Sequence, residues 1–216
     1  MRPDPFTDFI NFLTHPAWTT AVFWVLLLGS VGVAIYCLAT MESQRTFGNV
    51  ANWLFRLSIG GMWWQQTLWK LPPFYTDNPS APFGTSGLSY WMTQLIKGAA
   101  FQFHADLVEK VLLPNFFLVA PFVYAAEVIT GASLMLGIFV RLGGLLGALQ
   151  ILNLWLGLYN TPGEWPWTYF FLLVLQLIFA THRFGRSLGF DAVILDREEK
   201  HKGRPTLGRA FIDAAT

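Results

Sequence analysis

Apolar residues gather into five long runs that are separated by polar and proline-containing segments. The runs occupy about 17–40, 51–72, 115–140, 143–160 and 164–181. Each approaches the ~20 residues that an α-helix needs to cross the hydrocarbon of a bilayer. The pattern therefore predicts an all-α integral membrane protein with five transmembrane helices and a single domain over 1–216.

The long connection over 73–112 carries a second periodicity. It begins at Pro72 and Pro73, which cannot continue a helix. Further on, one apolar stripe recurs at helical spacing and comprises Leu88, Trp91, Met92, Leu95, Ile96 and Ala99. This stripe predicts an amphipathic helix over 87–103 that lies in the membrane interface. Such a helix either packs on the bundle as a lid or gates a site beneath it.

Composition and charge agree with membrane embedding and suggest an orientation. Of the 216 residues, 54% are hydrophobic and 12% are charged, whereas a soluble domain has roughly 25% charged residues. Lys and Arg are concentrated in 182–216 and in the loops on the same side of the predicted spans. Because basic loops stay in the cytoplasm, we expect a basic cytoplasmic tail over 182–216, with the N-terminus and the 73–112 loop outside. A net charge of +1 gives no sign of a nucleic-acid partner.

Four ionisable residues interrupt the apolar runs. Arg56 and Lys70 belong to the second run, and Glu127 and Arg141 lie in and just after the third. Members of each pair are 14 residues apart, so they share one helix face and lie ~21 Å apart along the axis. Ionisable groups inside a membrane are costly and mark either a function or a pair that defines the fold. If the two helices are antiparallel, Lys70 and Glu127 lie at one level, and the two arginines lie together near the cytoplasmic interface.

These positions allow alternative roles. Lys70 and Glu127 form either a buried salt bridge that sets the helix register or a catalytic pair that contacts an anionic substrate and relays a proton. Arg56 and Arg141 either anchor the helices to lipid phosphate, pair with Asp191, or bind an anion or a quinone head group.

Aromatic and polar side chains continue the same helix faces. Trp63 and Gln66 follow Arg56, and Tyr124 precedes Glu127. Polar groups converging with aromatic rings are typical of small-ligand sites, although polar membrane helices also pack in this way without a ligand. In the outer loop, His104 is either a proton carrier at the surface or a solvated loop histidine.

Signals for a bound cofactor are absent from the sequence. No two histidines fall inside the predicted spans, which argues against a haem with two histidine ligands. No CxxC, no HxxxH and no carboxylate cluster indicates a metal site. No GxGxxG follows a strand, so no dinucleotide or flavin fold is expected.

Three motifs resemble those of one family. They are Arg56-Leu-Ser-Ile-Gly-Gly61 followed by Leu68-Trp-Lys70-Leu, then Glu127-Val-Ile-Thr-Gly131 followed by Leu136-Gly-Ile-Phe-Val-Arg141-Leu, and finally Gly185-Arg-Ser-Leu-Gly189-Phe-Asp191. Together they resemble the DoxX-like superfamily. The long outer loop and Glu164-Trp165 look most like its DoxD branch, the small membrane subunit of thiosulfate:quinone oxidoreductase.

The resemblance implies a four-helix DoxX-like bundle over 51–181, with 17–40 as an extra N-terminal transmembrane helix, in a prokaryotic inner membrane. It also implies oxidation of thiosulfate with transfer of electrons to a quinone co-substrate, assisted by a second subunit. Lys70 would attract the sulfur anion. Trp63, Gln66 and Tyr124 would line a quinone slot, and Glu127 would relay protons.

Whether the chain is an enzyme stays open. The alternative is a non-catalytic accessory subunit that docks onto a larger membrane redox or respiratory complex. A proton or small-molecule carrier is a weaker third interpretation, because the chain shows no inverted repeat.

Overall fold

The protein is described here by a computed structural model that covers residues 4–200 and 207–216, with the backbone alone at 199–200 and 207–209. Within these ranges every regular element is a helix. The α-helices in chain order are α1 Pro5–Thr14, α2 Trp18–Thr40, α3 Phe47–Gln65, α4 Gly87–Lys97, α5 Gln102–Leu107, α6 Phe116–Leu136, α7 Val140–Gly157, α8 Pro166–Thr181, α9 Phe190–Lys200 and α10 Leu207–Ala215. The prediction of an all-α chain is confirmed for this part of the sequence.

Three helices, α2, α6 and α7, are long and apolar enough to cross a membrane. Helix α8 is also apolar but has 16 residues, and α3 has 19 residues that include Arg56 and several amides. The outward faces carry large exposed apolar side chains such as Leu28, Phe122 and Leu149. In water such a surface would be unstable, so the chain is a multi-pass protein embedded in a lipid bilayer. That α3 and α8 also span it stays a prediction.

Successive long helices run antiparallel, as their contacts show. Between α2 and α3, the Trp64 indole donates to the Thr19 carbonyl at 2.8 Å, and the Trp53 indole donates to the Ser30 hydroxyl at 3.0 Å. Higher numbers on α3 thus meet lower numbers on α2. The same relation holds from α3 to α6, from α6 to α7 and from α7 to α8.

Helix α7 passes close to both neighbours because it presents glycine to each. A Cβ added at Gly143 would lie 2.7 Å from the Ser133 Cβ on α6, and one at Gly144 would lie 2.8 Å from a backbone carbon of Phe179 on α8. Small residues let membrane helices approach to direct backbone contact. Gly143 and Gly144 therefore serve close helix approach.

Helix α4 packs on the bundle. Its stripe, Leu88, Met92 and Leu95, is buried in a cluster with Phe116 and Leu158, which is the lid arrangement. The predicted range of 87–103 was wrong at its end, because α4 stops at Lys97. There the chain turns and bonds with the last turn of α7 and with the loop that follows it. The Ala100 N–H donates to the Leu156 carbonyl at 2.7 Å, and the Asn160 N–H donates to the Gly98 carbonyl at 2.8 Å.

Both ends of the chain carry structure that the apolar pattern did not predict. At the start, α1 is capped by Asp4, whose carboxylate accepts from the Phe6 and Thr7 N–H groups. At the end, the Asp213 carboxylate on α10 accepts from Arg186 at 2.6 Å. The predicted basic tail over 182–216 therefore folds partly against the bundle, while its residues 201–206 lie outside the described ranges.

Candidate functional site

Lys70 and Glu127 form a buried ion pair. Lys70 follows a 3-10 turn over Gln66–Trp69 at the end of α3, and Glu127 lies in the middle of α6. The Lys70 ammonium donates to Glu127 Oε1, and each residue is only 6% exposed. Lys70 and Glu127 therefore lie at the same depth along their helices, as predicted. The reason is that the helices are antiparallel and that Lys70 is as many residues from Arg56 as Glu127 is from Arg141.

Aromatic rings lie near this pair. The Lys70 Nζ lies 4.1 Å from the centroid of the Trp69 ring, within the range of a cation–π contact. The ring of Tyr75, from the loop after α3, lies 6.1 Å from that of Tyr124, one turn before Glu127 on α6. Trp69 and Tyr75 were absent from the predicted site. Trp69 could have been predicted, because an aromatic residue next to a buried lysine in sequence is a ready cation–π partner. Tyr75 could not, because the path of the loop after α3 brings it to the site.

Two polar atoms beside the ammonium have unused hydrogen-bonding capacity. Glu127 Oε2 and the Tyr124 hydroxyl are buried and make no hydrogen bond of standard geometry among the described residues, and the Thr67 side chain lies close to the Tyr124 hydroxyl. They lie one turn apart on the same face of α6. The Glu127 carboxylate, the Tyr124 hydroxyl and the Lys70 ammonium thus lie near one another and near aromatic rings. This combination is suited to a ligand with carbonyl or hydroxyl groups.

The prediction for Gln66 was wrong, because its side chain is exposed. It donates to Gln65 Oε1 at 2.9 Å and accepts from the Trp69 indole at 3.3 Å. The cause is the 3-10 turn, which advances by three residues per turn and rotates the face. Thr67 points inward instead and is completely buried.

Trp63 is buried, as expected of a residue on the inner face. It lies two turns before Lys70 and packs with Leu134, Val140 and Phe179. The structure therefore places this indole in the hydrophobic core, where Trp63 contributes to the packing between helices.

Arg56 is buried and binds the C-terminal end of α6. It is 0% exposed, and its Nη1 donates to the carbonyls of Leu134 and of Met135, the latter at 2.9 Å. These carbonyls belong to the last turn of α6, where no intrahelical N–H is available. The prediction of an anchor to lipid phosphate was wrong for Arg56. Among the ion pairs of the described residues, none joins it to Asp191.

Arg141 and Asp191 also bind helix ends. Arg141 Nε donates to the Ala180 carbonyl in the last turn of α8 at 3.2 Å. The Asp191 carboxylate accepts from the Phe139 N–H at 2.7 Å and from the Val140 N–H at 3.3 Å. It thus caps α7 at its N-terminus, where Phe139 has a φ of 49°. Both residues satisfy backbone groups that the helices leave unpaired.

Replacing Asp191 with asparagine is expected to remove one pH dependence of stability. Burial raises the pKa of Asp191 from 3.8 to about 6, against the lowering effect of the two N–H donors and of Arg56. Because the folded state holds this proton more tightly than the unfolded state, the contribution of Asp191 to stability is largest below about pH 4 and is lost as pH rises through about 6. Thermal unfolding of the purified protein across this window would show a smaller decline for Asp191→Asn than for the wild-type protein. An equal decline in both proteins would contradict this assignment.

His104 is buried in the fold. The side chain is 5% exposed, and its Nε2 lies 3.0 Å from Asn153 Oδ1 on α7. Gly157 makes room for it, since a Cβ there would lie 2.9 Å from His104 Cε1. The expectation of a solvated loop histidine was wrong, because the segment after α4 folds back onto the end of α7. His104 thus lies against α7, and its hydrogen-bonding partner is Asn153 rather than Lys70 or Glu127.

Within the described ranges no three His, Cys, Asp or Glu residues gather into a group that holds a metal ion. Set against models of protein families, curated proteins and solved structures, the chain matches none of them. A function for the site must therefore be argued from its own chemistry and from the motifs in the sequence.

Proposed function

We propose that this chain is the membrane subunit of an enzyme that oxidises thiosulfate, or a related sulfur anion, and reduces a membrane quinone. The observation that carries the proposal is the buried Lys70–Glu127 pair, with Glu127 Oε2 and the Tyr124 hydroxyl making no hydrogen bond of standard geometry among the described residues. The motif resemblance to the DoxD branch of the DoxX-like superfamily supplies the sulfur substrate.

The side chains at this site support a role in quinone reduction. Two thiosulfates joining into tetrathionate release two electrons, and a quinone takes up two electrons and two protons to form the quinol. The Tyr124 hydroxyl can donate to a quinone carbonyl, and the rings of Trp69 and Tyr75 can pack against the head group. Lys70 stabilises the negative charge that develops on the oxygen, and Glu127 passes on the proton.

The proposed arrangement in the membrane follows the same lines. Helices α3, α6, α7 and α8 form the four-helix core, and α2 is the extra helix. In the proposed orientation the N-terminus and the Lys70 end of α3 lie outside a prokaryotic inner membrane, and the tail after α8 lies in the cytoplasm. The sulfur anion then reaches the site from outside, with a partner subunit completing its binding.

A second candidate is a non-catalytic accessory subunit of a larger membrane redox complex. It is favoured by one observation, which is that the buried charges are matched inside the protein. Lys70 is paired with Glu127, and Arg56 with the carbonyls of α6. Helix packing alone can use such contacts without a substrate.

Thiosulfate-dependent reduction of a decyl-quinone analogue tests the proposal. Membranes containing the wild-type protein are expected to show this activity, and Lys70→Met to lose it by about 100-fold or more, as for the loss of a group that stabilises a developing negative charge. Lys110→Met is the matched control, since Lys110 is exposed and paired with Asp106 on the surface. Wild-type membranes with no more activity than empty ones would favour the accessory subunit, and co-purified redox subunits would then identify its complex.

A further inference from the structure

A series of polar side chains leads from the end of α7 towards Glu127. At its start, Asn153 is exposed one turn before α7 ends, and its Oδ1 lies 3.0 Å from the buried His104 Nε2. One turn further into α7, Gln150 is half-buried. Gln150 is thus less exposed than Asn153, as expected for a path that leads inward from Asn153.

The series continues from α7 to α6. Gln150 Nε2 lies 3.5 Å from Thr130 Oγ1, and Thr130 is 0% exposed. Thr130 lies one turn after Glu127 on α6, and residues at this spacing are neighbours on a helix surface. Each consecutive pair in the series is therefore either in hydrogen-bond range or one helical turn apart.

A fully buried amide stands beside Thr130. Neither Gln176 Nε2 nor Gln176 Oε1 has a hydrogen-bond partner among the described residues. A Cβ added at Gly147 would lie 2.8 Å from the Gln176 Cδ and 3.0 Å from the Thr130 Cγ2, so both side chains face this glycine. A buried amide with both ends unpaired is costly unless it binds a polar ligand, and water is the smallest one.

We propose that His104, Asn153, Gln150, Thr130 and Gln176 form the route by which protons reach Glu127. Solvent reaches the series at the exposed Asn153, which contacts the buried His104 imidazole. The amides hold water in line, and the Thr130 hydroxyl passes the proton to the carboxylate one turn away. The inference rests on the proposed function, because quinone reduction consumes two protons at a buried site. It adds where those protons enter.

Infrared spectroscopy can measure proton access to Glu127 without any quinone or sulfur substrate. In Lys70→Met the carboxyl has lost its counter-charge and takes up a proton. Its C=O band then shifts when the protein is transferred to D2O, and the rate of the shift reports proton exchange. Adding Glu127→Gln must abolish the band, which identifies it. Should Lys70→Met not fold, Lys70→Gln retains a donor to Glu127 and serves as the background.

Thr130→Val in this background is expected to slow the exchange by at least about tenfold, equivalent to raising the barrier by roughly 1.4 kcal/mol. Gln150→Leu is expected to have a similar effect. Thr19→Val is the matched control, since Thr19 is also 0% exposed and lies on α2, away from the series. Equal rates in all variants would overturn the route and show that protons enter from the Lys70 side. This result is independent of whether quinone is reduced.

Discussion

Replacing Lys70 with methionine should lower the free energy of unfolding by about 3–5 kcal/mol, the typical cost of removing one partner of a buried ion pair. The reason is that Glu127 would remain among apolar and aromatic groups without its counter-charge. Glu127→Leu is expected to have a comparable effect, because it leaves the Lys70 ammonium unpaired. Thermal and chemical unfolding of the purified protein measures both.

The double variant Lys70→Met/Glu127→Leu should recover most of this stability, because apolar residues of similar volume replace a buried pair at little or no cost. As a control, Lys110→Met should leave stability nearly unchanged, as for exposed ion pairs. A double variant as unstable as either single variant would contradict the prediction.

The same double variant separates structure from catalysis. If the pair is a catalytic site, the variant folds and cannot reduce quinone. If the pair serves only helix packing, the variant folds and retains any function of the complex. A stable protein is thus available for the activity measurement even if the single variants are too unstable.

Replacing Arg56 with methionine should lower the free energy of unfolding by about 3–5 kcal/mol, because two carbonyls at the end of α6 lose their donor in a buried place. Arg56→Lys should restore little of this loss, since one ammonium on a flexible chain cannot reproduce the planar fork of a guanidinium. Unfolding measurements on both variants test the expectation. A Lys variant as stable as the wild-type protein would show that only the charge matters.

Gly137 offers an independent check on where the guanidinium lies. Its φ is +69°, and an added Cβ would lie 2.6 Å from Arg56 Cζ. Gly137→Ala should therefore destabilise the protein, and the effect should be smaller in the Arg56→Met background, where the clash with the guanidinium is gone and only the backbone strain is left. Gly48→Ala is the control, since a Cβ there meets nothing within 4 Å.

Much of the helical layout could be predicted from the sequence, because transfer of apolar side chains into a membrane depends on local composition. The run at 17–40 became α2 at Trp18–Thr40, and the last run became α8 at Pro166–Thr181. The Lys70–Glu127 pair followed from equal spacings on two antiparallel helices, which is a matter of helix geometry.

Other features depended on contacts between distant segments. The sequence shows that Arg56 is a charge in an apolar run, but only folding brings the end of α6 to its guanidinium. Likewise, His104 is buried because the segment after α4 returns to α7. Thr67 replaces Gln66 on the inner face because the last turn of α3 tightens. Apolar patterning thus determined that the protein is an all-α membrane protein and where along the helices Lys70 and Glu127 lie. The tertiary structure decided the partners of each polar group, because hydrogen bonds require contact and these partners lie tens of residues away.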